Sequence, residues 1–223
     1  MDLLNFGPIW PYMMQLSSTI SGCVNGVADW MQSNRLQLNP GKTELLWCTT
    51  SRRQNRLPTA TLTVGSSIVS PVSSVRDLGI FVDSDLVMRT HVCQTVSRCF
   101  AALRQLRSIR HLVSATVFQS LVTALVLSRL DYGNGTLIGL SIHLIRRLQS
   151  VQNAAARLIF RLRQSDHITD ALISLHWLRV PERIVFKVAV QTYRALHGDA
   201  PQYLRQFTPV ADIPSRQRFR SVR

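Results

Sequence analysis

The sequence predicts a mainly helical α+β fold: a small β-containing piece over residues 1–84, then an arginine-rich helical piece over 85–205. Two patterns lead there. Short β-branched runs broken by glycine and proline fill the first part, whereas long segments after Asp83 repeat apolar residues at helical spacing. With 46% hydrophobic and 17% charged residues in 223, the chain has enough apolar material for a core. The last stretch, 206–223, is basic and is expected to be a flexible tail.

Taken in order, residues 17–35 read as a helix capped by Ser17 or Ser18, with Ile20, Val24, Val27, Trp30 and Met31 recurring on its apolar side. "LNPG" (38–41) breaks it. "TELLWCTT" (43–50) then reads as a buried strand and "SRRQNRLP" (51–58) as a basic loop. "TLTVGSSIVS" (61–70) reads as a hairpin turning at Gly65-Ser66, and "VRDLGIFVD" (75–83) as one further strand.

In residues 89–111, Val92, Val96, Cys99, Phe100, Leu103 and Leu106 share a helical face, while Arg98, Arg104, Arg107 and Arg110 lie largely elsewhere. "LVSATVFQSLVTALVLS" (112–128) has no charge, yet it is short and carries Gln119 with several hydroxyls. It is therefore expected to be a helix buried on most sides of a bundle rather than a membrane span. "LDYGNGTLIG" (130–139) is a glycine-rich turn. Residues 140–163 are strongly amphipathic: Leu144, Leu148, Val151, Ala155, Leu158 and Leu162 form one face. Arg146, Ser150, Asn153, Arg157 and Arg161 fall within an arc of about 80° opposite, at ~100° per residue. Helices over 168–176 and 181–197 follow, and Pro201 can open another.

Net charge is +14, and of the 26 cations all but Lys42 and Lys187 are arginines. Arginine's planar fork grips phosphate in a bidentate way, so the balance favours a nucleic-acid partner. Cys23, Cys48, Cys93 and Cys99 fit no zinc spacing and read as buried free thiols. The N-terminus lacks a basic leader, so the expected location is intracellular, nuclear or cytoplasmic, without secretion.

Gly41-Lys42-Thr43 spells the end of a phosphate-binding loop. The first glycine of that motif would stand at position 36, which is Leu36, and the motif needs a strand before it and a helix after it. Here the order is reversed, and the nucleotide-loop reading fails. Asp83-x-Asp85 reads as turn chemistry. In "SDHITD" (165–170), Ser165 or Asp166 reads as a helix cap with Asp170 in the first turn, and His176 beside Trp177 reads as a packed side chain.

A series of blocks carries a family likeness: "ADWMQSNRLQLNPGKTELLWC", "VRDLGIFVDSDLVMRTHV", "CFAALRQLRSIR", "LVLSRLDYGNGTLIGL", "RLQSVQNAAARLI", "DHITDALISLHWLRVPERIVFKV" and "YRALHGDAPQYL". In this order, from about Val27 to Leu204, they resemble the C-terminal part of non-LTR (LINE-type) retrotransposon reverse transcriptases. The resemblance implies a truncated palm over 1–84 and a helical thumb with its extension over 85–205. It implies that Lys42 is a lysine beside the incoming nucleotide, that Leu78, Gly79 and Ile80 lie at the centre of a primer-grip strand, and that the thumb holds an RNA/DNA template–primer duplex. Arg104, Arg107, Arg146, Arg157 and Arg161 are the expected nucleic-acid contacts. The departure is the metal site. The family holds Mg²⁺ with a pair of adjacent aspartates and an earlier one, and no Asp-Asp occurs in this sequence. The isolated chain is therefore expected to bind without cofactor and to have no polymerase activity. Two alternatives remain open: a repurposed helical nucleic-acid or protein-interaction module, and a truncated reading of an active RNA-directed DNA polymerase.

Overall fold

In a computed structural model the described residues are 9–57, 59–64 and 67–204, and they fall into two compact units that divide between His91 and Val92. The architecture is mainly α with two small two-stranded antiparallel sheets, the α+β class that the periodicities predict. The basic tail and the hairpin turn at Gly65-Ser66 lie outside the described residues. Among the described residues, no helix is long and apolar enough to cross a membrane.

Helix α1 (Ile9–Ser33) begins eight residues before the expected cap. Pro11 sits in its first turn, where a missing N–H breaks no intrahelical bond, so the run can start there. The helix ends with Arg35 in the left-handed region (φ 57°). There the Arg35 and Leu36 amides donate back to the carbonyls of Gln32 and Met31 at 3.0 and 2.8 Å. Ile20 and Val24 pack on the sheet below, whereas Val27 and Trp30 are exposed, contrary to their place in the expected apolar face.

The first hairpin forms as read: β1 (Leu62–Val64) pairs with β2 (Ser67–Val69), Leu62 opposite Val69. Period-two alternation buries Leu62, Val64 and Val69 against Ile20, Val24, Leu38 and Leu45. Residues 43–50 do not form the expected strand. They make a single bridge, Leu45 to Pro71, and proline has no N–H with which to continue a ladder. The basic loop is a short 3-10 helix, Ser51–Arg56.

Residues 75–83 are not one strand either. They form a second hairpin, β3 (Ser74–Asp77) and β4 (Ile80–Asp83), with Asp77 opposite Ile80. Leu78 and Gly79 are its two-residue turn, both at positive φ (45° and 86°). A tight antiparallel turn needs this backbone, and glycine adopts it without steric cost. Asp83 and Asp85 are turn formers, accepting from the amides of Thr90 and Val87 at 3.0 Å each.

Helix α2 (Arg89–Ile109) leads into the second unit and buries Val92, Val96, Cys99, Leu103 and Leu106 as read, whereas Phe100 of the same expected face is only half-buried. A helical run follows: α3 (Ala115–Val122), a π-turn at Thr123–Leu127, and α4 (Ser128–Asp131). Ser114 caps α3 by accepting from the Val117 amide. This run is buried along one stripe only, through Phe118, Val122, Val126, Leu127 and Leu130. Val117 and Leu125 are exposed, so the expectation of burial on most sides is corrected.

Helix α5 (Ile142–Phe160) packs against α3, α6 (Thr169–Ser174) and α7 (Val180–Leu196). Its apolar face is as read at Leu144, Leu148, Val151 and Ala155, but Leu158 is half-buried, Leu162 lies beyond the helix end, Ala156 and Ile159 are buried instead, and Gln152 is fully buried among them. The Gln152 amide donates to the Leu178 carbonyl at 2.8 Å and its oxygen accepts from Gln149 at 2.9 Å. Gln149 in turn accepts from the Val180 amide at 2.9 Å. These two side chains satisfy the backbone of the α6–α7 turn and fix it against α5. Asp166 does not cap α6; it accepts from the Arg163 amide at 2.7 Å and closes the loop before it. Glu182 accepts from the Arg179 amide and starts α7. Arg183 on α7 holds the Asp131 carboxylate at the end of α4 through two bonds. The Pro201 reading is met by a 3-10 turn, Gln202–Leu204.

Replacing Gln152 with Leu would strand the Leu178 carbonyl and a Gln149 amide proton. We expect a loss of about 1–3 kcal/mol in urea unfolding, and unchanged stability would show that the amide pair holds nothing.

Candidate nucleic-acid interface

The arginine stripe read on residues 140–163 does not exist as a stripe. Arg161 lies one residue past α5 with φ 57°, because the chain turns back there and Leu162 donates to the Arg157 carbonyl at 3.0 Å. Arg157 is on the helix, but its guanidinium donates to the carbonyls of Arg163, Gln164 and Asp166 at 3.4–3.5 Å. It therefore ties down the loop after α5. Of the three stripe residues, Arg146 alone is an exposed cation on the regular helix.

A different basic surface is present. Arg147 reaches across to α2 and donates to the Cys93 sulfur at 3.0 Å, and Arg110 near the end of α2 donates to the Ile159 carbonyl near the end of α5. These two links join the starts and the ends of α2 and α5, so the two helices run in the same direction. On α2, Arg104 lies about 20° and Arg107 about 40° in phase from Cys93, so both stand on the side that Arg147 touches. Both are exposed. They lie roughly 16 and 21 Å along the axis from Cys93, with half-buried Phe100 between. Arg146 stands beside Arg147. The result is a two-helix basic face spanning several phosphate spacings.

Residues 86–165 contain eleven arginines and a single acid, Asp131, which Arg183 already holds. A phosphate backbone would meet arginine forks without competing carboxylates. The single-helix reading missed Arg147. The tandem Arg146-Arg147 was visible, but which of the two faces a neighbouring helix depends on tertiary placement.

The other expected sites lie in the first unit. Lys42 is exposed in a 3-10 turn, Pro40–Lys42, organised by Asn39, whose side chain accepts from Gly41 at 3.0 Å and whose carbonyl accepts from Lys42 at 3.1 Å. That is an Asx turn, a local loop device without a nest for phosphates. Leu78 and Gly79 occupy a hairpin tip, with Leu78 83% exposed, and Ile80 opens β4. The strand-centre placement is corrected by the turn geometry. Among the described residues, no group of three or more His, Cys, Asp or Glu is placed to hold a metal ion.

The thiols divide. Cys23 and Cys48 are exposed and Cys93 is half-buried, so the reading of all four as buried holds for Cys99 alone. Burial pushes the Cys99 thiol up to about 11, against the opposing pull of the Arg129 charge. His176 is exposed at the end of α6 with φ 54°, not packed.

Compared with protein-family models, with curated proteins and with solved structures, the chain matches none.

Since Arg157 works on the loop, Arg157→Ala is expected to cost about 1–2 kcal/mol of stability and to speed hydrogen exchange over residues 161–168. A change confined to nucleic-acid affinity, with stability and exchange untouched, would return this residue to the binding surface.

Proposed function

We propose that this chain is a reverse transcriptase-derived, nucleic-acid-binding fragment of the non-LTR type, a palm end followed by a thumb, without polymerase activity of its own. The observation that carries the binding part is the two-helix basic face, set in an 80-residue stretch (86–165) with one engaged acid. Its cations lie on rigid helices and offer no base-reading geometry, so the face tracks phosphates and tolerates sequence. The ordered block resemblance supports the identity of the duplex as a template–primer. On this reading the exposed Leu78–Gly79 tip is the part of the first unit available to touch a primer strand, and Lys42 is a nucleotide-side lysine. The aspartate pair that would hold Mg²⁺ is missing from the sequence.

The test is fluorescence anisotropy with a 20-base-pair RNA–DNA duplex and the full chain over a salt series. Three phosphate contacts, by Arg104, Arg107 and Arg146, predict a slope of log K against log salt of about −3. Primer extension with Mg²⁺ or Mn²⁺ is expected to give no product. Salt-insensitive binding, or incorporation by pure protein, would contradict the reading.

A further inference from the structure

A cavity of about 290 Å³ opens between the end of α4, the 3-10 turn Asn134–Leu137, the α6–α7 turn and α7. Arg183, Phe186 and Lys187 stand at i, i+3 and i+4 on α7 and line it from one side. Asp131 and Asn134 line it from α4 and the 3-10 turn, and His176 and Leu178 from the α6–α7 turn. The 3-10 turn and α7 approach closely: a Cβ on Gly135 would come within 3.8 Å of the Lys187 Cγ.

The polar groups here are unequally engaged. Asp131 and Arg183 hold each other, and the Asn134 amide nitrogen donates to Asp131 at 3.4 Å. A carboxylate only accepts, so that bond fixes which end of the Asn134 amide faces it. Asn134 is 6% exposed, and its Oδ1 is left as a buried acceptor to which nothing among the described residues donates. Such an acceptor calls for a donor. His176 and Lys187 are the opposite case: both are exposed, and among the described residues neither side chain makes a hydrogen bond or ion pair. His176 also holds φ 54°, a left-handed conformation that costs a histidine strain and a glycine almost none. The Phe186 ring is 61% exposed.

One ligand chemistry meets these groups together. An N–H donor answers Asn134 Oδ1, a flat ring lies on Phe186, and an anionic group answers Lys187 and an N–H of His176. A nucleotide carries all three in one unit, as the edge of its base, the face of its base and its phosphate. The volume lies just below the roughly 300–1,000 Å³ common for small-ligand pockets, which suits one such unit rather than a duplex. A simple anion would leave the ring and the buried acceptor unused.

We propose that this pocket binds a single unstacked nucleotide, either a free nucleoside monophosphate or the phosphorylated end of a strand. None of its elements carries Arg104, Arg107 or Arg146, so the site stands whether or not the basic face binds duplex.

The experiment is isothermal titration calorimetry of the full chain with AMP, adenosine, and purine riboside 5′-monophosphate, whose base edge has no N–H. AMP is expected to bind about tenfold more tightly than either of the others, each of which lacks one contact. Asn134→Leu is expected to weaken AMP to the level of the purine riboside monophosphate and to leave the latter unchanged. Lys187→Gln is expected to weaken AMP about tenfold and to leave adenosine unchanged. His176→Gly is expected to raise the urea midpoint while weakening AMP, since strain is relieved as a donor is lost. A 5′-phosphorylated tetra-adenylate that binds more tightly than AMP identifies a strand end as the source, and equal or weaker binding a free nucleotide. Reversal of Arg104 and Arg107 to Glu is expected to leave AMP binding unchanged, which separates this pocket from the duplex face. Absence of binding by AMP and tetra-adenylate at about millimolar concentration would overturn the proposal, as would equal affinities for the three small ligands. AMP binding indifferent to Asn134→Leu would overturn it too, with a trapped water as the partner of that oxygen.

Discussion

Two side-chain amides on one helix, Gln149 and Gln152, set the arrangement of the second unit. Gln152 is enclosed among aliphatic side chains, where an unpaired amide would cost about 1–3 kcal/mol, and it finds its partners in the Leu178 carbonyl and in Gln149. Gln149 passes the constraint on to the Val180 amide. The consequence is directional. With α6 and α7 fixed on one side of α5 and α3 also packed on it, α5 has a defined rotation about its axis. That rotation points Arg147 at α2 and leaves Arg146 outside. An apolar residue at 152 would supply burial without specifying this phase.

From that phase follows the division of labour on α2. One flank carries Arg104 and Arg107 beside α5. The other flank, beside α3 and α4, carries alanines and aliphatics with Arg98 and Arg129 at one end. Both flanks draw on the same compositional fact: acids are nearly absent between residues 86 and 165. The carboxylate that is present, Asp131, is spent on Arg183 and on joining α4 to α7. Several arginines of this unit instead hold backbone carbonyls: Arg110 that of Ile159, Arg129 that of Arg98 and Arg157 those of the loop after α5.

What could be read from the sequence depended on whether local information sufficed. The first hairpin, α2, the apolar face of α5 and α7 follow from periodicity and turn residues, because burying one face requires that spacing in any context. The 43–50 stretch looked like a strand because its residues are apolar and β-prone; the Pro71 partner that halts its ladder is 26 residues away from Leu45. In 75–83 the turn signal was present at Gly79 but was outweighed by the apolar residues around it. The α5 stripe failed for two reasons that no helical wheel contains. The helix stops at Phe160, and a loop recruits Arg157. Arg147 was passed over because its value comes from a neighbour 54 residues earlier.

The most direct test compares two double charge reversals of equal size in the full chain, using duplex affinity at about 0.1 M salt. Reversing Arg104 and Arg107 to Glu removes two of three phosphate contacts and is expected to lower affinity by tenfold or more, at ~0.9 counterion released per contact. Reversing Arg157 and Arg161 is expected to destabilise the loop after α5 and to leave most of the affinity in the folded fraction. The opposite ranking, with Arg157 and Arg161 dominating and Arg104 and Arg107 silent, would contradict a binding face built across α2 and α5.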